Sequence, residues 1–520
     1  MKRMRTAVLG LLAAVCAAGC GKSDPSVETG TIVYGRGADS KSLDPQAIED
    51  GESVNVVSQI FDTLVAFEAG TTRVEPALAT SWTASADGLS WEFAIRPGVQ
   101  FHDGTACDAA AIAWNFRRLL DSKSPDRHGM GEPPYGFLYE GIEGCEARGA
   151  AVVFTLKAPN AAFLANLAMF PASISSPAAV GQWKSDYGRH PVGTGPFRFG
   201  SWAPNQKIVL EANAGHWGGA PKAAKVIFAV IPENSVRLQR LKAGELHIID
   251  GVSPSEFDGV RAEASLRLLL EPGMNFSYLA FNTEREPWNR PEVRRAVASA
   301  LDKKEIIALA YSGAGTPAVN PLPPTIWGWN GSIQDRPYDP AGAKKALADL
   351  GVAGKELDLY VMPNPRGYVP NPANVGAVVK QRLEAAGLKP RLLSPPWEGG
   401  LYVGELKEGK HDIALIGWIT DNGDPDNFLF TLFHSSAIPD QNHARYRSAE
   451  FDDLVSRAQR ETAPEKRAEL YRRAQERIFE DAPILPLVYM PNVAAVRANV
   501  EGYVLHPMGL VRLKGVSLKK

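Results

Sequence analysis

Cysteine is scarce in this chain: Cys16, Cys20, Cys107 and Cys145 are the only four in 520 residues. No Cys-x-x-Cys pair and no His-x-x-x-His spacing occurs, so a zinc site has no support. A basic block is also missing. Lys and Arg number 56 against 58 Asp and Glu, a formal net charge of -2, which argues against a nucleic-acid binder. Phosphate loops are missing as well. Gly35-Arg-Gly37 is not followed by a helix carrying a third glycine, and Gly193-Thr-Gly195 is not followed by Gly-Lys-Ser/Thr. His102-Asp103 has no serine or cysteine pattern beside it and reads as part of an Asp-Gly turn. A hydrolase would need a nucleophile with its base, or a metal set, and neither is found.

What is present begins with an export leader. Lys2, Arg3 and Arg5 precede an apolar run, Thr6 to Val15, too short to span a bilayer as a mature helix. Ala17-Ala-Gly-Cys20 follows, and small residues ending in Cys resemble the lipobox of bacterial lipoproteins. Residues 1–19 are thus expected to be cleaved, with Cys20 lipidated and 20–30 a flexible tether. With Cys16 removed and Cys20 acylated, Cys107 and Cys145 remain, and an oxidising compartment favours a disulfide between them.

The mature chain is too long for one core, so two or three lobes are expected. Its 11 Trp and 39 Pro suit a loop-rich protein with aromatic-lined pockets. Asp108 caps a helix to Leu120, and Trp91, Phe93 and Ile95 alternate as a half-buried strand. Residues 65–180 read as an α+β subdomain. Strand and helix alternate from 275 to 489, which predicts a doubly wound α/β lobe. Within it, Thr462-Ala-Pro-Glu465 reads as a capping box. Strands near 275 and 490 are candidate crossings between this lobe and a discontinuous one built from 31–64, 181–274 and 490–520. A ligand held between hinged lobes is the natural function of that plan.

The densest chemistry lies in Ile413 to Phe428. A short apolar strand runs into Trp418, then into a turn-rich segment with Asp421, Asp424 and Asp426. Asp421 lies nearest the strand end, where ligands tend to sit. Asp424 and Asp426 read as turn and helix-cap residues.

Several motifs together resemble the extracytoplasmic solute-binding proteins of peptide ABC transporters, family 5, and within it the dipeptide binders. They are Leu78-Ala-Thr-Ser-Trp82 with Ser85-Ala-Asp-Gly88, Phe101-His-Asp-Gly104, Gly193-Thr-Gly-Pro-Phe197 and Tyr278-Leu-Ala-Phe-Asn282. Asn320-Pro-Leu-Pro-Pro324 with Trp327-Gly-Trp329, Tyr338-Asp-Pro340 and Gly417-Trp418 through Phe428 complete the set. The resemblance implies a mixed α/β periplasmic-binding-protein fold with two hinged lobes and an extra subdomain. It implies a peptide-capturing protein, not an enzyme, that has no cofactor and no metal. Such a protein is a monomer, lipid-anchored outside the cytoplasm, that serves a membrane permease.

The resemblance also implies site residues. Asp421 matches the aspartate that holds a ligand's α-ammonium, with Gly417 and Trp418 beside it. Arg366, in Met362-Pro-Asn-Pro-Arg366-Gly-Tyr368, matches the arginine that holds the carboxylate, and Tyr368 follows at the family's spacing. An arginine meets a carboxylate with a planar two-pronged fork, so the chemistry agrees. This chain departs from the pattern at Glu49-Asp50-Gly51, which is acidic where the dipeptide binders carry a small polar residue. Glu49 and Gly51 would either favour a basic ligand side chain or only face solvent. Same-fold ligands of another kind (glutathione, haem, nickel, an antimicrobial peptide) remain alternatives, nickel being disfavoured by the lack of a His cluster near the two loops.

Overall fold

The structure is a computed structural model that describes residues 30–519. The leader and Cys20 lie outside the described residues. Three larger sheets organise the chain. A seven-stranded sheet runs in the order Leu266–Pro272, Pro491–Arg497, Ile248–Ile249, Thr31–Arg36, Lys225–Val230, Lys207–Ala212, Phe197–Ala203. A six-stranded sheet runs Thr316–Pro317, Ile484–Tyr489, Asn275–Phe281, Ile413–Ile419, Glu356–Tyr360, Lys389–Leu393. A four-stranded antiparallel sheet, Ala79–Ala84, Ser90–Ile95, Ala151–Leu156, Ile142–Arg148, packs on the helix Ala109–Leu120. This is a mixed α/β architecture of two large sheets with an additional four-stranded one.

Two strands pass directly from one large sheet to the other. Leu266–Pro272 continues through Gly273-Met274 into Asn275–Phe281, and Ile484–Tyr489 continues through Met490 into Pro491–Arg497. The two passages lie side by side, antiparallel, with Pro272 opposite Pro491 and Ser277 opposite Val488. Asn275 staples them: its Nδ2 donates to Met490 O at 3.0 Å and its Oδ1 accepts from Met490 N at 3.1 Å. Gly273 permits the close approach, since a Cβ there would lie 2.4 Å from Met490 O.

The second large lobe is less regular than strand–helix alternation predicts. Asn275–Phe281 runs antiparallel to both its neighbours, and only Glu356–Tyr360, Lys389–Leu393 and Ile413–Ile419 are paired in parallel. The reason is topological. The crossing strand Asn275–Phe281 arrives from the other lobe and enters the sheet centre in the opposite sense, while the returning strand Ile484–Tyr489 runs in the same sense as Ile413–Ile419, so the sheet is mixed rather than doubly wound. Every residue of Asn275–Phe281 is buried. Phe281 stacks on Trp288, and Val293 and Val297 of the helix Pro291–Ser299 complete that core. Each such apolar side chain contributes about 1.5–3 kcal/mol on burial.

Two smaller expectations are corrected. Cys107 and Cys145 are free thiols. Cys107 is a member of the apolar core behind the four-stranded sheet, and Cys145 packs against that core opposite Phe154 on the neighbouring strand. Each thus packs as a small apolar side chain, and burial holds both thiols well above their usual range. Thr462 caps no helix: the long helix is Pro464–Asp481, with Ala463 at its N-cap and no side-chain cap bond. Proline in the first turn supplies the start instead.

Candidate functional site

Glu356–Tyr360 and Ile413–Ile419 are parallel neighbours, paired at Leu359–Ile413 and Tyr360–Ala414. Their carboxyl ends therefore open on the same edge of the sheet. The loops leaving that edge carry Arg366 and Asp421, the position where open α/β sheets place ligand groups.

Asp421 is positioned by the turn behind it. Thr420 Oγ1 accepts from Gly423 N at 2.9 Å, and Gly423 takes a φ of +69°, where glycine is favoured. Asp424 and Asp426 serve structure, as the sequence indicates. Asp424 accepts two bonds from Arg467, at 2.7 and 2.8 Å, in a buried ion pair. Its Oδ1 also accepts from Asp426 N at 2.9 Å, which starts the helix Asp426–Phe433. Burial and the adjacent Asp424 charge push the Asp426 carboxyl up to about 7.

Asp421 differs from these two. Among the described residues it has no cationic partner. Tyr135, shortly before the strand Ile142–Arg148 of the four-stranded sheet, donates its hydroxyl to Asp421 Oδ1 at 3.2 Å. Asn427 Oδ1 accepts from Asp421 N at 3.1 Å and from Trp418 Nε1 at 2.9 Å. Trp418 therefore reaches Asp421 through Asn427. Burial pushes the Asp421 carboxyl up to about 7, against the hydrogen bonds from Tyr135 and Asn427. A desolvated carboxylate without a cation is costly and favours either protonation or an incoming positive charge.

Arg366 sits on a tight turn closed by reciprocal bonds between its backbone and that of Val369, both 2.9 Å. Its guanidinium lies over the Trp397 ring, 4.3 Å from the centroid, and makes no ion pair with any described residue. Tyr368 is buried, with its hydroxyl 3.9 Å from Met362 Sδ. Its ring packs on Gly417, where a Cβ would lie 2.3 Å from Tyr368 Cδ2. Gly417 thus makes room for Tyr368. Gly367 faces Ile419 (3.8 Å from a built Cβ to Cδ1), so the arginine loop rests on the end of the strand that leads to Asp421.

Glu49 is exposed and has no hydrogen bond or ion pair among the described residues. Burial and the Asp421 charge hold the Tyr135 phenol well above its usual value, and Glu49 adds to the effect, which puts Glu49 near that end of the site. Gly51 opens the helix Gly51–Ile60, in open space and with Asp50 as its cap. Among the described residues no group of 3 or more His, Cys, Asp or Glu could hold a metal ion.

Tyr135, Asn427 and Trp397 are absent from the sequence-based set. Asn427 stands in the quoted loop and offers a cap-type amide as a signal. Tyr135 and Trp397 meet their partners only through tertiary structure.

Residues flanking the four-stranded sheet also meet this edge directly. Asn422 Nδ2 donates to Asn166 Oδ1 at 2.8 Å, and Gly423 packs on Thr72. Ala161 N donates to Gln459 O at 2.8 Å. A surface hollow of about 560 Å³, lined by Arg285, Asp358 and Asp412, opens instead near the amino ends of the same strands.

Paired crossings between lobes, with oppositely charged groups on adjacent carboxyl-end loops, define a solute-binding protein. The chain belongs to the bacterial extracellular solute-binding proteins, family 5, whose middle-region profile matches residues 73–440. It is similar to di/tripeptide-binding protein 1 of Pseudomonas aeruginosa, 35% identical over 95% of this chain and 96% of that protein. It is equally similar to heme-binding protein A of Haemophilus influenzae, 35% identical over 95% of this chain and 93% of that one. Among solved structures it resembles an ABC transporter-associated periplasmic binding protein of Helicobacter pylori in complex with the peptide STSA. That likeness has a TM-score of 0.83 and 35% identity, and covers 95% of this chain and 98% of the other.

Proposed function

We propose that this chain captures short peptides, dipeptides above all, outside the cytoplasm and delivers them to the permease of an ABC importer. Asp421 takes the ligand's α-ammonium and Arg366 its carboxylate. The observation that carries this reading is complementary: among the described residues Asp421 lacks a cation and Arg366 lacks a carboxylate, on neighbouring loops of one sheet edge. A zwitterionic peptide supplies both. Charge pairing at each end favours ligands whose termini match the spacing of the anchors, and an extended ligand backbone finds partners on strand and loop edges. Tyr135 contributes a hydroxyl at the ammonium end, and Trp418 acts through Asn427. Glu49 would favour a basic ligand side chain. The protein works as a monomeric binder, not an enzyme, and Cys20 carries its lipid anchor. A thermal-shift screen over di-, tri- and tetrapeptides tests the reading, because binding to the native state raises stability by mass action. Haem belongs in the screen, given the similarity to a haem-binding protein. A shift with haem and none with any peptide would refute the reading.

A further inference from the structure

Resting on the site reading above, we propose that Trp397 is a positioning residue for the carboxylate end of the ligand. Its indole plane holds the Arg366 guanidinium in one orientation. The stack behind it refers that orientation to the strand that leads to Asp421.

The geometry is a layered column. The Arg366 guanidinium lies 4.3 Å above the Trp397 ring, and Trp397 stacks on Tyr402 with centroids 5.7 Å apart and planes at 19°. Tyr402 is fully buried, and its hydroxyl donates to Leu415 O at 2.7 Å. Leu415 belongs to Ile413–Ile419, the strand that runs on to Asp421. Both charged groups are thus built from one strand, one along the chain and the other through three stacked side chains.

The turn that carries Trp397 is shaped for this. Gly399 and Gly400 both adopt a φ of +71°, a region that favours glycine. Gly400 N donates to Trp397 O at 3.0 Å, and Tyr402 N donates to Pro396 O at 3.1 Å. The chain therefore reverses immediately after Trp397 and returns Tyr402 beneath it. Stacking on a guanidinium face also leaves the in-plane N–H groups free for a carboxylate. An arginine held only by its flexible stem would have to be ordered by the ligand, at a cost in affinity.

The test compares the dipeptide Ala-Leu with its C-terminal amide by calorimetry, on wild type, Trp397→Ala, Trp397→Phe and Arg366→Ala. Melting curves check that each variant folds. The readout is the ratio of amide Kd to acid Kd. Wild type should prefer the acid by about tenfold or more, since the amide removes a charge-assisted pair. Trp397→Ala should lower that preference at least about threefold by weakening the acid alone, while Trp397→Phe retains most of it, because a ring face remains. Arg366→Ala should abolish the preference. If Trp397→Ala keeps the wild-type ratio, or weakens acid and amide alike, while Arg366→Ala abolishes it, the positioning role is refuted and the site reading stands. If Arg366→Ala leaves the ratio intact, or if wild type does not prefer the acid, the site reading fails and the positioning role fails with it.

Discussion

The Tyr135 hydroxyl donates to Asp421 Oδ1 at 3.2 Å across 286 residues of sequence. This bond joins the segment that leads into the four-stranded sheet to the loop that leaves the six-stranded sheet. It occupies one oxygen of a carboxylate that has no cationic partner among the described residues. A ligand ammonium arriving there meets both the acid and the phenol that already satisfies part of it.

The raised pKa of Asp421 sets the pH dependence of binding. In the free protein the carboxyl titrates near 7. An ammonium partner stabilises the ionised form, so the complex titrates lower. Below pH 7 the free protein must therefore release a proton to bind, and affinity falls as pH drops, by up to about tenfold per unit. Above 7 affinity should level off and then fall as the ligand's own α-ammonium, with a pKa of about 7.7–8.0, loses its proton. Calorimetry at pH 6 in buffers of different ionisation enthalpy should give different apparent enthalpies. Identical enthalpies across buffers would remove Asp421 as the titrating anchor.

Gly417 is predicted to resist substitution for a packing reason. A Cβ there would lie 2.3 Å from Tyr368 Cδ2 and 2.6 Å from Phe276 O. Gly417→Ala must push Tyr368 aside and shift the arginine loop that rests on it. A stability loss of about 1–3 kcal/mol is expected, together with weaker peptide binding. A melting temperature and affinity equal to wild type would show that the ring has room to move.

Asp424 and Arg467 form the buried pair beneath the anchor loop. Arg467 also donates to Ala458 O at 2.9 Å and to the Tyr471 hydroxyl at 3.0 Å. Arg467→Ala leaves the Asp424 carboxylate buried and unpaired, a loss of about 3–5 kcal/mol. Adding Asp424→Asn to that variant should recover part of the loss, because the stranded charge is gone. Denaturant unfolding measures both. A double variant no more stable than Arg467→Ala would contradict the charge argument.

Much of this arrangement was legible before the structure, where the signal is local. The apolar run ending at Trp418 reads as a buried strand. Asp424 and Asp426 read as turn and cap, and the strands near 275 and 490 read as crossings. Other features resist sequence reading because they depend on distant contacts. Tyr135 reaches Asp421, and Trp397 reaches Arg366, with no periodicity or turn chemistry to announce either. The mixed sheet arises because Asn275–Phe281 enters its centre from the other lobe in the opposite sense, which local alternation cannot register. The free thiols show the same limit: compartment logic makes a disulfide reasonable, whereas the packing of Cys107 and Cys145 as separate apolar side chains is a tertiary outcome.

The most direct measurement is a calorimetric cycle on the ammonium end. Ala-Leu and N-acetyl-Ala-Leu are titrated into wild type and Asp421→Asn at about pH 7.5, where most of the wild-type carboxylate is ionised and most of the ligand's α-amino group is still protonated. Acetylation should cost wild type at least about tenfold in affinity, because losing a buried charge partner is worth about 2–5 kcal/mol. In Asp421→Asn the free dipeptide should already be weakened by a similar factor, and acetylation should cost little more. Unchanged affinity of Asp421→Asn for Ala-Leu, or an acetylation penalty equal in both proteins, would contradict Asp421 as the ammonium anchor.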